Sequence, residues 1–461
     1  MKKILLVYPR CKYPSGQPPL GLAALSAYIK QISTNISVEL FDATFMNNSF
    51  KRFENLCSEK NFDVLLFSVM STMSSDAHRF AKIAKSKIPL CVVVFGGPHP
   101  TILPELCLAD SHVDLVIRGE GERVIANLIA ADFNPVNIKG VVYRAGDNRI
   151  VFNQEQSPIE NIDALPFPDR SIFDMDRYVQ VWNSMDSVAS DLRGTSIIVS
   201  RGCPYRCTFC QPTLEKLFGK KIRKRSPPNV LKELIHLRDA YKINAFMFED
   251  DTFMMDRQWV LEICELIKNT CSEMIWCCNM RANLCDEQLL RSMYDAGLRK
   301  INIGMETASQ DVLDKVYKKG ITIQQVIDAV SVCKKIGLRV QGYFMIGHPK
   351  ETLEDVKQTI RFARNLDIDD VSFSIVTPFP GTALYDNERD LIEQSIESFD
   401  YYSTCVYKKE CLSTPIETIR RMKSIGYFRF YMRPDRLLTQ VRLIFSLPGL
   451  RKFFYKIRRV V

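Results

Sequence analysis

The chain has 461 residues, which at roughly 150 per domain points to about three domains. Apolar residues make up 46% and charged residues 25%, so disordered, collagenous and low-complexity classes are excluded. The net charge of +9 is concentrated: residues 413–461 hold 12 Lys or Arg against two acids, and the other 412 residues sum to −1. A neutral body with a basic tail argues against a nucleic-acid partner, whose enzymes carry basic patches on the body as well. No run of 18 uncharged apolar residues exists, so no spanning helix is expected. The opening MKKILLVYPR has a basic tip and a short apolar run. Pro9 and Arg10 end that run too soon for a signal peptide, so a cytoplasmic first strand is expected. The 15 cysteines are odd in number and lack a secretory context. They read as metal ligands where clustered and as core residues where scattered.

Residues 1–150 alternate short apolar runs, at 4–8, 38–42, 64–69, 91–95 and 113–117, with helical patterns such as 21–32 and 76–85. Strands alternating with helices predict a parallel sheet covered on both faces, and five strands suit a flavodoxin-like (Rossmann-like) α/β sheet. Ligands on such sheets sit at the carboxyl ends of the strands. Those ends read PPLG (18–21), SVMST (68–72), GGPHP (96–100) and RGEGE (118–122). Their glycines and hydroxyls suit close backbone approach to a bulky ligand, and they equally suit plain βα turns. The candidate contacts are Ser68, Thr72, Gly96, Gly97 and Glu120.

A hairpin, GVVYRAGDNRIVF, turns at Gly146-Asp147. A Pro- and Asp-rich stretch with LPFPDR comes next and reads as an extended linker. A second alternation begins at Thr195. Strands are predicted at 196–200, 245–249, 274–279, 300–305, 338–346 and 371–376, with helices at 229–241, 259–268, 286–296, 324–335 and 353–365. Six βα units in this span predict a partial (β/α)6 TIM-type barrel, shorter than the eight-unit form. The expected domains are therefore 1–150, a linker 151–194, a barrel 195–382 and a basic helical extension 383–461.

SRGCPYRCTFCQP places Cys203, Cys207 and Cys210 at C-x3-C-x2-C spacing directly after the first barrel strand. Three thiolates on one loop can hold zinc or an iron–sulfur cluster. Zinc would want a fourth close ligand, and the next candidate, His236, lies 26 residues on inside a predicted helix. Three ligands to a four-iron cluster leave one iron open.

On these residues, 195–380 resemble the radical S-adenosylmethionine (SAM) superfamily, whose three-cysteine loop is matched in full. The resemblance implies a 4Fe-4S cluster whose open iron binds SAM and whose electron cleaves it to a 5′-deoxyadenosyl radical. It further implies Phe209 beside the adenine. It places a SAM-ammonium acceptor at the end of the second strand, in FEDDTF (248–253), where Glu249, Asp250 and Asp251 offer carboxylates. Arg281 and Asn283 in NMRAN, Glu306 in IGMET and Gly347 in GYFMIGHPKET occupy further family positions around SAM. The last segment departs from the family pattern at His348, where Leu is expected, and at Lys350, where Gly is expected. TPFPGT (377–382) closes the last strand as in one branch of the superfamily. That branch carries an N-terminal cobalamin-binding domain, which 1–150 resembles through PPLGL, SVMST, GGPHP and RGEGE in order. The D-x-H-x-x-G motif for a lower-axial histidine is missing, as in many members of that branch.

The resemblance implies a cytoplasmic cobalamin-dependent radical SAM enzyme, most often a methyltransferase acting on an unactivated carbon. Two alternatives stand beside it. One is a radical cyclase or rearrangement enzyme without methyl transfer; the other is a non-catalytic redox or cobalamin-carrying protein. The expected partners are a small-molecule or lipid substrate and an electron donor such as flavodoxin or ferredoxin. His99 reads as structural. Cys277 and Cys278, adjacent on a strand, must point to opposite faces. Cys11, Cys57 and Cys91 do not sit in the surroundings of a methylthiotransferase cluster. The tail 434–461 mixes Leu, Phe and Ile with Arg and Lys, and Pro448 interrupts it. It reads either as a helix packed on the barrel or as an interfacial helix resting on anionic lipid at the cytoplasmic face.

Overall fold

The computed structural model describes residues 1–12, 15–393, 399 and 405–437. Contacts divide the chain into two compact units, Met1–Met175 with Pro212–Arg223, and Asp176–Gln211 with Lys224 onward.

The first unit is built on seven strands: β1 (Lys2–Tyr8), β2 (Ile36–Asp42), β3 (Val64–Ser68), β4 (Val92–Gly96), β5 (Leu115–Ile117), β6 (Val141–Arg144) and β7 (Ile150–Phe152). They run in the order β2-β1-β3-β4-β5-β6-β7. The first five are parallel, and β6 and β7 form the antiparallel hairpin at one edge. The parallel order is the flavodoxin-like one, with its switch point between β1 and β3. Helices α1 (Leu20–Ile32), α2 (Ser49–Glu59), α3 (Ser74–Lys87) and α4 (Gly121–Ala130) cover the sheet. Leu5, Val7, Leu65 and Phe67 pack with Phe53 of α2 and Phe80 of α3. Their neighbours Ile4, Leu6, Val64 and Leu66 pack with Leu22 of α1 and Leu128 of α4. Both faces are buried, which is why β1 and β3 read as unbroken apolar runs rather than alternating ones.

The Pro- and Asp-rich stretch read as an extended linker packs against the first unit. Asp169 of LPFPDR docks on α1, accepting from Ser26 Oγ at 2.7 Å and Lys30 Nζ at 2.6 Å. The unit boundary falls at Met175, and Asp176–Gln211 belongs to the second unit.

That unit has six parallel strands in sequence order: β8 (Gly194–Ile197), β9 (Ala245–Phe248), β10 (Ile275–Met280), β11 (Leu298–Glu306), β12 (Arg339–Ile346) and β13 (Asp370–Ile375). Between them run α5 (Pro227–Tyr241), α6 (Arg257–Thr270), α7 (Glu287–Asp295), α8 (Ile323–Ile336) and α9 (Leu353–Asn365), giving the partial barrel. Each helix starts where a Ser, Asp or Thr side chain accepts a first-turn N–H: Ser226, Asp256, Asp286, Thr322 and Thr352. Thr322 with Gln325, and Thr352 with Asp355, complete capping boxes.

Side chains alternate across the strands. Phe246, Phe248, Trp276 and Cys278 join the main core beneath the helices. Ala245, Met247 and Cys277 face the lumen and meet Trp182 and Met185. Residues 182–185 thus close the barrel at the amino ends of its strands. Gly194 makes this possible, because a Cβ there would lie 1.9 Å from the Trp182 ring. Beyond β13, α10 (Ile416–Tyr431) packs through Gly426 against Phe373 and Ile360. Arg433 Nη1 donates to Arg364 O at 2.7 Å and Arg436 Nη2 to Leu366 O at 2.6 Å, satisfying carbonyls at the end of α9. The tail from 438 lies outside the described residues. Among the described residues no helix is long and apolar enough to cross a membrane.

Candidate active site

The three-cysteine loop leaves β8 and is pinned from several sides. Asp250, just past β9, accepts from Val199 N at 3.1 Å and from the backbone N–H and hydroxyl of Ser200. Thr208 donates through its N–H to Tyr317 O at 3.0 Å and through its hydroxyl to Val316 O at 2.7 Å. Ala383 N and Leu384 N, just after TPFPGT, donate to Gln211 O and Thr208 O. Gln211 Nε2 donates to Cys203 O at 3.1 Å. Such a frame fixes the thiols before any ligand arrives.

Arg281, one residue past β10, is the main electrostatic feature. Its guanidinium lies 3.6 Å from the centroid of the Tyr205 ring. Nη1 donates to Cys207 Sγ at 3.2 Å, and Nη2 donates to Lys319 O. Burial pushes the Cys203 and Cys210 thiols up, and Asp251 adds to this at both; Arg281 opposes at Cys203 and Lys319 at Cys210. Among the described residues no three His, Cys, Asp or Glu side chains converge on a single metal ion. A cubane asks for a different geometry, since each thiolate binds its own iron. Three thiols on one short loop, one of them already taking a guanidinium hydrogen bond, form a donor set that fits a cluster.

The three carboxylates of FEDDTF separate by role. Asp250 is buried and engaged with the backbone just before the cysteine loop, so it helps to position that loop. Its burial raises the carboxyl to about 7 against the Ser200 and Val199 donors. Glu249 turns into the lumen and takes the Ser196 hydroxyl at 3.0 Å, with its pKa raised by burial to about 7. Asp251 alone stays exposed beside the cysteines, yet protein walls desolvate it and raise its pKa.

Glu306 ends β11 after a register shift, in left-handed backbone with φ +63°. Strain of this kind in a residue with a side chain marks an enforced position. Its partner is Lys319, both side chains being buried, and Lys319 Nζ lies 5.8 Å from the Phe209 ring centroid. Phe209 stands edge-to-face on Tyr317 at 5.6 Å. Gly347 has φ +90°, and a Cβ there would sit 3.0 Å from Ile419 of α10. His348 is buried, donating or accepting at 2.7 Å with Glu388 Oε1, and its Nδ1 accepts from Lys350 N at 3.2 Å. With Nδ1 accepting from the backbone, Nε2 is the nitrogen that donates to Glu388. Sequence reasoning missed Tyr205 and Lys319; the aromatic inside the cysteine loop was a visible signal for the first, and nothing local marked the second.

In the first unit, Ser68, Thr72, Gly96 and Gly97 lie together at the carboxyl edge, beside the β1/β3 switch point, and keep partial exposure. Gly97 has φ +101°, and a Cβ would meet Val69 N and O at 3.1 Å. The glycine therefore serves the turn itself. Thr101 ties this turn to the next, donating to Gly97 O at 2.8 Å and accepting from Gly119 N at 3.0 Å. The His99 ring sits between Ser74 Oγ at 3.0 Å and Ser71 Oγ at 3.1 Å, and burial lowers its pKa to about 4. Glu120 is engaged within the chain. Its carboxylate is bidentate on Arg223, at 2.9 Å to each oxygen, and accepts from Ile159 N at 2.7 Å. It ties Arg223 and the backbone at Ile159 to the β5 turn. What remains at the edge is a glycine- and hydroxyl-lined rim at a switch point, a surface that fits a corrin laid against backbone.

Comparison with known proteins agrees with this division. The family described as "B12 binding domain" matches residues 12–129, and the "Radical SAM superfamily" matches 197–363. An uncharacterized methyltransferase of Pyrococcus horikoshii is 33% identical, covering 95% of this chain and 94% of that one. An anaerobic magnesium-protoporphyrin IX monomethyl ester cyclase of Rubrivivax gelatinosus is 28% identical over 93% of this chain and 77% of its own. The solved structure of the cobalamin-dependent SAM radical enzyme OxsB, with aqua-cobalamin and SAM bound, shares the fold: TM-score 0.74, 16% identity, covering 100% of this chain and 72% of that one. The chain belongs to the radical SAM superfamily, in the branch that joins a cobalamin-binding domain to the barrel, and is an enzyme using a 4Fe-4S cluster, SAM and cobalamin.

Proposed function

We propose that the enzyme transfers a methyl group from SAM to an unactivated carbon of a small molecule. The observation that carries this reading is the near full-length similarity to a relative named as a methyltransferase. When bound, cluster and SAM supply a 5′-deoxyadenosyl radical, and cobalamin supplies the methyl carrier. In this reading Cys203, Cys207 and Cys210 ligate the cluster, and Arg281 holds positive charge on one of its sulfurs. Asp251 takes the SAM ammonium, being the carboxylate of its group that stays exposed beside the cysteines. Phe209, Glu306 and Gly347 shape the SAM cleft. Ser68, Thr72, Gly96 and Gly97 line the corrin edge. An electron donor such as flavodoxin or ferredoxin reduces the cluster. The basic stretch 434–461 supports contact with an anionic membrane surface, and through it a lipid or membrane-held substrate.

The cyclase relative favours a second reading, in which no methyl is delivered. Deuteromethyl-SAM separates the two. Extract from a strain lacking the gene is incubated anaerobically with the reconstituted enzyme, a reductant and the labelled SAM. A product carrying the deuteromethyl group is expected. Formation of 5′-deoxyadenosine with no labelled product would overturn methyl transfer.

A further inference from the structure

The barrel lumen is layered by register. Phe248 pairs with Cys278, so Glu249 stands abreast of Asn279; Asn279 pairs with Asn302, and Asn302 with Gln341. These four lumen-facing residues on or just past four adjacent strands form one polar layer, as barrel interiors stack. The register carries the layer on to Asp370, which pairs with Gln341 and takes Lys300 Nζ at 2.8 Å, and below lies the apolar floor around Trp182.

The amide chain in this layer has a fixed direction. Asn279 Nδ2 donates to the Asp250 carbonyl at 3.4 Å, and a carbonyl can only accept. Asn279 must therefore present Oδ1 to Asn302, whose Nδ2 donates to it at 3.3 Å. That leaves Asn302 Oδ1 as the open end, buried and without a donor among the described residues, in a residue only 2% exposed. A buried acceptor left so costs free energy unless something donates to it. Glu249, next along the layer, accepts from the Ser196 hydroxyl, and Lys300, the cation that reaches the layer, is neutralised by Asp370.

We infer that this layer, centred on Asn302, is the substrate-recognition site and takes a hydroxyl or amine that donates a hydrogen bond, not a phosphate or carboxylate. The inference rests on the radical SAM reading but not on methyl transfer.

The test reads how strongly extract of the gene-deleted strain stimulates 5′-deoxyadenosine formation, as the ratio of rates with and without extract. Any substrate radical reaction requires that stimulation, whatever its product. Asn302→Leu should lower the ratio about tenfold, and Asn302→Asp, which keeps an acceptor there, should recover most of it. Cluster iron content checks that both variants fold. A Leu variant stimulated like wild type, or an Asp variant as weak as Leu, would overturn the inference. So would a consumed metabolite bearing neither hydroxyl nor amine. Absence of a deuteromethyl product would count only against methyl transfer.

Discussion

Arg281 reaches the cluster loop from another strand and brings both a full charge and an N–H to Cys207 Sγ. Positive charge and hydrogen bonds at the sulfurs raise a cluster's reduction potential. Arg281→Gln should therefore make the cluster harder to reduce and slow SAM cleavage, with iron content kept. An EPR-monitored redox titration checks this, and an unchanged potential would leave Arg281 a structural role through Tyr205 and the Lys319 carbonyl. Residues of this kind separate what the sequence shows from what it hides. The three cysteines are legible because one loop holds them together covalently. The pairs Arg281–Cys207 and Asp250–Ser200 are 74 and 50 residues apart, and only the barrel brings them together. For the same reason Asp250 and Asp251, adjacent in sequence, could not be told apart until strand β9 pointed one at the backbone and the other at the cleft.

His99 carries a pH consequence of its own. Its ring is neutral in the fold, with a pKa lowered from 6.5 to about 4, first by burial and then by His78. The unfolded chain takes up the proton earlier, so this stability is complete above about pH 6.5 and is lost as pH falls towards 4. The loss is no more than about 3 kcal/mol. His99→Gln should flatten that acid slope. Urea denaturation at pH 7.5 and pH 5 measures it; an equal acid loss in wild type and variant would show that other groups set the slope.

At the scale of elements, strands and helices were readable because each had a periodicity to read. β1 and β3 show unbroken apolar runs, and the barrel helices show caps at Ser226, Asp256, Asp286, Thr322 and Thr352. The segment 176–188 has neither. Its place at the foot of the barrel depends on one large ring and on a glycine 12 residues later, with no repeat to announce them. Trp182 is 1% exposed and lies against Gly194, Ala245 and Met247. Trp182→Ala should cost roughly 3–5 kcal/mol by opening a cavity at the closed end of the lumen. Thermal unfolding with cobalamin retention as a second readout checks it: the barrel transition should fall while the first unit keeps its cobalamin. Loss of both together would mean that the two units unfold as one.

The whole molecule is divided by charge, −1 over residues 1–412 and +10 over 413–461. Part of that excess already has work inside the fold. Arg433 and Arg436 donate to the carbonyls that end α9, and Arg436 is buried. Truncation before these residues would strip the helix end as well as the charge, so a chain ending at Leu437 is the better probe. It removes Arg442, Arg451, Lys452, Lys456, Arg458 and Arg459 and leaves the caps intact. Each base near an anionic bilayer adds roughly 1 kcal/mol, screened within about 10 Å at 0.1 M salt. The full chain should sediment with phosphatidylserine-containing vesicles at low salt and be released by about 0.5 M NaCl, where screening is shorter still. The chain ending at Leu437 should stay in the supernatant with an unchanged melting temperature. Equal sedimentation of both chains would remove the membrane role from the tail. A melting temperature lowered by several degrees, with no vesicle binding by either chain, would assign it to packing on the barrel.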